Sequence, residues 1–128
     1  MSILDQMDEL RDGFPGCRAV ALADMSSGIV LCVSEIEKHP QERLDALCAT
    51  ANEFFNAAAA GKVFGALKSG EDASPNQGMT ITPSETCIFL RSPADPMETL
   101  IAICNTDVDI TLFTQSAHRT IDMIAAEE

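Results

Sequence analysis

The sequence contains no tryptophan and no tyrosine, and only 8 of its 128 residues are lysine or arginine. Proteins that bind nucleic acids follow the phosphates with basic side chains and stack unpaired bases on aromatic rings. Here 20 acidic residues bring the formal net charge to −12. The composition therefore argues against a nucleic-acid partner and against binding to anionic membrane surfaces.

Long apolar runs are missing as well. No run approaches the ~20 residues that span a bilayer, and acidic residues near the start are atypical of the basic region that opens a signal peptide. We therefore expect no membrane insertion, a cytoplasmic location and one domain covering residues 1–128. The negative charge favours either simple solubility or an electropositive protein partner, and composition leaves both open.

Signatures of catalysis and metal binding are also missing. The two histidines, His39 and His118, have no second histidine or cysteine at ligand spacing, and no G-x-S-x-G segment occurs. Gly61 and Lys62 are followed by Val63, where a phosphate-binding loop requires serine or threonine. We expect no catalytic residue, no metal site, no cofactor and no enzymatic activity.

The five cysteines are far apart, odd in number and placed inside apolar patterns, and no C-x-x-C pair occurs. These properties indicate small buried hydrophobic residues in a reducing compartment, without disulfides. The residues are Cys17, Cys32, Cys48, Cys87 and Cys104.

The longest helical pattern runs from Pro40 to Lys68. Proline suits the first position of a helix, and apolar residues then recur every three or four positions. Gly61 either ends this helix or lies within it, with Gly70 as the end. The continued spacing at Val63, Phe64 and Leu67 favours the longer helix.

The other segments predict a short helix before two strands, then three strands and a last helix. The first helix covers Ser2 to Asp12, and Asp107 or Asp109 caps the last one, which extends through Ile124. The strands are Cys17 to Asp24, Ile29 to Ser34, Met79 to Thr82, Thr86 to Arg91 and Met97 to Cys104, with a loop from Ser69 to Gly78 before the third. The order α-β-β-α-β-β-β-α predicts an α+β domain with one five-stranded antiparallel sheet flanked by helices.

Two strands have informative faces. In the first strand Val20 and Leu22 point one way, and Ala19, Ala21 and Ala23 point the other. Small residues on one face predict that a helix lies close against it. The last strand is apolar on both faces, which predicts a central position in the sheet.

Three segments together resemble the Roadblock family, known from a dynein light chain and from bacterial partners of Ras-like GTPases. Residues 21–25 read Ala-Leu-Ala-Asp-Met and residues 28–31 read Gly-Ile-Val-Leu, which is similar to the first hairpin of the family. The alanine-rich helix from Pro40 to Leu67 and the segment from Leu100 to Ile124 are similar to the family's long second helix and to its last strand and helix.

The resemblance implies the sheet order second, first, fifth, fourth, third strand. It also implies a non-catalytic homodimer, joined through the second helix and the third strand, that regulates or scaffolds a small Ras-like GTPase. Backbone hydrogen bonding supports the strand contact, because pairing two copies of an exposed edge strand satisfies its unpaired N–H and C=O groups. The interface residues that we predict are Phe54, Phe55, Ala58, Gly61, Phe64, Gly65, Met79 and Ile81.

An alternative of a different class is a ligand-sensing or small enzymatic domain on a profilin-like or PAS-like sheet. Such a domain needs a concave apolar pocket with convergent polar groups. Nothing in the sequence requires one, so the interaction module is the preferred hypothesis.

Overall fold

The computed structural model describes residues 2–36, 38, 40–59, 77–95 and 97–127. These residues form three helices and five strands in the predicted order. The helices are α1 (Ile3–Asp12), α2 (Gln41–Ala59) and α3 (Ile110–Glu127), and the strands are β1 (Cys17–Asp24), β2 (Ile29–Glu35), β3 (Gln77–Ile81), β4 (Thr86–Arg91) and β5 (Glu98–Cys104). The continuation of α2 beyond Ala59, including the choice at Gly61, lies outside the described residues.

The five strands form one antiparallel sheet in the order β2-β1-β5-β4-β3. This is the order that the Roadblock resemblance implies. All seven residues of β5 are buried, so the predicted central strand is confirmed. The sheet therefore has β2 at one edge and β3 at the other.

Helices cover both faces of the sheet. One core cluster unites α1 and α3 with the side of β1 that carries Val20 and Leu22. The second cluster unites α2 with the opposite side, where Ala19, Ala21 and Ala23 lie. A helix, α2, therefore covers the alanine face of β1, as the pattern predicts for a helix. Among the described helices, none combines the length and the hydrophobicity needed to cross a membrane.

Side-chain caps define the helix starts. The Ser2 hydroxyl accepts the Asp5 backbone N–H at 3.1 Å, and the Asp5 carboxylate accepts the Ser2 N–H, so the predicted capping box is present. At α3 the structure selects Asp109 over Asp107, because Asp109 Oδ1 accepts the Leu112 N–H at 3.1 Å. Each cap satisfies backbone donors that the first turn of a helix leaves unpaired.

The predicted boundaries need three small corrections. Strand β2 extends to Glu35, and β5 begins at Glu98 instead of Met97. Strand β3 begins at Gln77, so Gly78 belongs to the strand and not to the predicted loop, and Thr82 lies beyond its end. The correction at β3 adds Gln77 and Gly78 to the edge strand through which we expect self-association.

Candidate self-association surface

Among the strands that the structure describes, β3 is an edge strand with β4 as its neighbour. Its side chains alternate between half-buried and exposed positions. Met79 is 42% exposed and Ile81 is 66% exposed, although both are apolar. An edge strand with exposed apolar side chains presents a template for pairing with another chain.

The hairpin between β3 and β4 determines which backbone groups of β3 face outward. The Thr82 N–H donates to the Glu85 carbonyl at 2.9 Å, which makes these residues a hydrogen-bonded pair in register with the strands. Because hydrogen-bonded and non-hydrogen-bonded pairs alternate in antiparallel sheets, Thr80 and Gly78 also bond to β4. The N–H and C=O groups of Gln77, Met79 and Ile81 therefore point away from β4.

The predicted interface residues lie on two different faces of the sheet. Met79 pairs with Ile88, which belongs to the core cluster of α1 and α3, so Met79 and Ile81 project on that side. On the same side, His118 Nε2 of α3 is 2.9 Å from Gln77 Oε1. The phenylalanines of α2 lie on the opposite side. A single interface that uses both groups must therefore pass through the β3 edge itself.

Phe54 packs directly over Gly78 on the α2 side. A Cβ atom built on Gly78 would lie 2.5 Å from the Phe54 ring, so a side chain at this position requires the ring to move. Glycine at position 78 therefore permits the close approach of α2 to β3. This contact explains why a glycine that indicates a loop in sequence occupies a strand.

Phe55 is a core residue, which changes the role that we predicted for it. Its side chain is 2% exposed, its ring packs edge-on against Phe54 with centroids 5.6 Å apart, and the Arg91 guanidinium lies 4.7 Å above it. Adjacent helix positions point about 100° apart, so only one of two neighbouring phenylalanines can point straight at the sheet. Phe55 takes that position, and the half-buried Phe54 remains the candidate interface residue of the pair. Ala58 lies within α2, whereas Gly61, Phe64 and Gly65 lie outside the described residues.

An ion pair connects the first turn of α2 to the β3–β4 hairpin. Arg43 and Glu85 form this salt bridge, and the Cys87 thiol contacts the same Glu85 carboxylate at 3.5 Å. Nothing in the sequence pairs these two charged residues, because they are far apart and each occurs in a polar segment. The contact positions α2 relative to the edge strand.

All five cysteines are free thiols in the structure. Cys17, Cys48, Cys87 and Cys104 are buried as predicted, whereas Cys32 is half-buried. Burial raises the pKa of Cys48 and of Cys87, because desolvation disfavours the thiolate. Within the described ranges, no group of three or more histidine, cysteine or acidic side chains is arranged to hold a metal ion.

The alternative hypothesis of a ligand pocket has limited support in the geometry. A cleft of about 600 Å³ lies between the α1–β1 loop and the start of α3, and it is open to solvent. Its polar lining comes from Asn105, Asp107 and Asp109, and Asp109 is already engaged as the cap of α3. The cleft therefore lacks the enclosure and the convergent polar groups that a small-ligand site requires.

No family model matches the sequence, and the comparison with curated proteins finds no match. Solved structures do match. A Roadblock/LC7 domain from Streptomyces avermitilis has a TM-score of 0.76 at 12% identity and covers 99% of this chain and 98% of its own. The gliding protein MglB from Thermus thermophilus has a TM-score of 0.75 at 17% identity, with coverages of 97% and 86%. MglC from Myxococcus xanthus has a TM-score of 0.65 at 14% identity and both chains are covered completely.

These likenesses establish the fold. The chain adopts the Roadblock/LC7 fold, with helices on both faces of a five-stranded antiparallel sheet. The resemblance in the sequence and the likeness of the structures agree on this fold.

Proposed function

We propose that the protein is a non-catalytic homodimeric interaction module that docks a small Ras-like GTPase. The observation that carries the proposal is the β3 edge, where apolar side chains and outward backbone groups coincide within a Roadblock/LC7 fold. A further matching structure, MglB with a tetrameric arrangement, has a TM-score of 0.77 at 19% identity. The GTPase partner rests on the family resemblance of the sequence.

The outward backbone groups of β3 suggest a register for the dimer. Two copies of an antiparallel edge pair through their outward residues, and the middle outward residue of β3 is Met79. The two-fold axis then passes beside Met79, which faces Met79 of the second copy, while Gln77 faces Ile81 of that copy. This pairing makes one interface patch self-complementary, as a two-fold interface requires.

The second helix completes the proposed interface. Phe54 stands beside the edge on the α2 side, and Ala58, Gly61, Phe64 and Gly65 follow it at helical spacing in the sequence. Small residues four positions apart let two helices approach closely. The proposal therefore places strand pairing at β3 and helix contact along α2 on the same two-fold axis.

Cysteine cross-linking tests the register. In the proposed dimer, Met79→Cys places two thiols across the axis and should give a disulfide-linked dimer on a non-reducing gel. Thr80→Cys is the matched control, because Thr80 projects to the α2 side and bonds to β4. Both variants also carry Cys87→Ser, because Cys87 is the register partner of position 80. A mixture of Gln77→Cys and Ile81→Cys chains should give a linked dimer, whereas each variant alone should give much less.

The possible results test the existence of the dimer and its strand register separately. Sedimentation at micromolar concentration that gives a monomer contradicts the dimer. A dimer in which Met79→Cys links no better than Thr80→Cys contradicts the register alone. Wild-type protein under the same oxidant controls for the native cysteines.

The GTPase proposal has its own test, which uses the charge of the chain. The net charge of −12 doubles in a dimer, so a partner with a basic docking face should associate faster at low salt. Exposed charges are screened over about 8 Å at physiological ionic strength, so the rate should fall as salt rises. Titration with purified Ras-like GTPases in both nucleotide states measures this, and a panel that shows no binding contradicts the partner class. If a GTPase binds with an association rate that does not change with salt, the proposed partner stands and electrostatic steering is excluded.

A further inference from the structure

Two of the five cysteines face each other directly across the centre of the sheet. Cys17, the first residue of β1, is the register partner of Cys104, the last residue of β5. Both side chains are 0% exposed and belong to the core cluster of α1 and α3, so they project on the same side. Cys48 and Cys87 pack on the opposite side, and Cys32 lies opposite Leu22.

The backbone geometry identifies the kind of pair. The Asn105 N–H donates to the Gly16 carbonyl at 2.7 Å, so the flanking residues Gly16 and Asn105 are hydrogen-bonded. The Cys17 N–H donates to the Phe14 carbonyl at 2.8 Å and not to β5. Cys17 and Cys104 therefore form a non-hydrogen-bonded pair beside the register shift between Cys17 and Ala19, and a hydrogen bond joins their thiols. In regular pairs of this kind the Cα atoms are about 4.5 Å apart. That separation falls within the range of about 4.4–6.8 Å that disulfides span.

From this juxtaposition we infer that Cys17 and Cys104 are a dithiol that a low-molecular-weight disulfide converts into an intramolecular disulfide. The thiolate of Cys17 attacks one sulfur of the small disulfide, which leaves a mixed disulfide and releases one small thiolate. The Cys104 thiol then loses its proton and attacks Cys17 Sγ, and the second small thiolate leaves. Two protein thiols are oxidised, and one small disulfide is reduced to two small thiols.

The local chemistry distinguishes the attacking thiol from the resolving thiol. A hydrogen bond from the Cys104 thiol lowers the pKa of Cys17. Burial opposes this effect, and the positive charge of Arg11 adds to it. The same hydrogen bond raises the pKa of Cys104, and burial adds to that effect. Cys17 is therefore the better nucleophile for the first step.

The position of the pair provides a route for the oxidant. Gly16 and Asn105, which flank the pair, both line the open cleft of about 600 Å³ between the α1–β1 loop and α3. The pair is the last of the β1–β5 register and is followed by the Gly16–Asn105 hydrogen bond, so access requires this end of the ladder to fray. Cys17 and Cys104 lie one residue away from this lining, whereas Cys48 and Cys87 pack on the opposite side of the sheet.

The test is peptide mapping of the native wild-type chain after exposure to glutathione disulfide. Free thiols are alkylated in denaturant, and circular dichroism confirms that the oxidised chain remains folded. We expect titratable thiols to fall from the five of the sequence to three, with Cys17 and Cys104 in one linked peptide and full recovery after dithiothreitol. Retention of all five thiols, or a linkage that joins other cysteines, overturns the inference.

Two variants sharpen the result. Cys104→Ala should abolish the linkage, whereas the matched core variant Cys48→Ala should retain it. Residues 17 and 104 are 87 positions apart, so closing this loop should raise the urea midpoint of the oxidised chain. A lower midpoint in the oxidised wild type means that the disulfide strains the sheet, which contradicts the inferred geometry of the pair.

Discussion

Replacing Phe55 by alanine tests whether this side chain belongs to the core. Phe55 is 2% exposed and contacts both the Phe54 ring and the Arg91 guanidinium. Truncation of a buried phenylalanine removes its transfer free energy and leaves a cavity, which together cost about 3–5 kcal/mol. The lost cation–π contact adds about 0.5–1 kcal/mol. This is a large fraction of the roughly 5–15 kcal/mol by which domains are stable.

Phe54→Ala is the matched comparison. Both variants lose the edge-on ring pair, so the difference between them reflects the deeper burial of Phe55 and its contact with Arg91. Phe54 is half-buried, and its truncation should cost less than about 2 kcal/mol. In a dimer, part of that effect appears as weaker association and not as lower stability of the fold.

Urea denaturation followed by far-UV circular dichroism measures the difference. The chain contains neither tryptophan nor tyrosine, so the usual fluorescence signals are missing. With m of about 1–3 kcal/mol per M, the Phe55→Ala midpoint should fall by at least about 1 M. All chains are compared at one protein concentration, because association shifts the midpoint. Equal losses for the two variants would refute the assignment of Phe55 to the core.

Three further predictions concern the edges, the caps and the thiols. Met79→Lys should shift the sedimentation of the chain toward the monomer, whereas Leu31→Lys on the opposite edge should leave it unchanged; the reverse result contradicts self-association through β3. Asp109→Ala should lower the free energy of unfolding by about 1 kcal/mol in chemical denaturation, because the α3 cap is lost, and Asp109→Asn should retain most of it. Native Cys48 and Cys87 should react slowly with a thiol reagent near pH 8 and completely after unfolding, since burial raises each pKa and keeps the thiolate fraction low.

The sequence patterns predicted the elements that depend on periodicity. The alternation of Val20 and Leu22 with three alanines predicted a helix on the alanine face, which is α2 in the structure. The apolar run of β5 predicted that this strand lies at the centre of the sheet. Local capping signals placed the starts of α1 and α3 within a residue or two. In each case the signal lies in residues that are close together in the sequence. Each signal has one physical cause, which is either the burial of an apolar face or the hydrogen bonding of unpaired backbone groups.

The details of the edge were not predictable in the same way. Gly78 occurs among loop-forming residues, and only the ring of Phe54, far away in sequence, explains its place in a strand. The roles of Phe54 and Phe55 depend on the rotation of α2 about its axis, which the apolar stripe defines only to within one position. The Arg43–Glu85 ion pair is a tertiary contact between two polar segments, and single-sequence patterns carry no signal for it.

The two edges of the sheet differ in a way that favours β3 for self-association. Strand β2 carries a bulge opposite Leu22 and Ala23 and ends at the acidic Glu35, and both features discourage pairing with another strand. Strand β3 has a regular register and no charged residue from Gln77 to Ile81. In a chain with a net charge of −12, two copies repel each other over most of their surface. A neutral edge is where their backbones can meet at the least electrostatic cost.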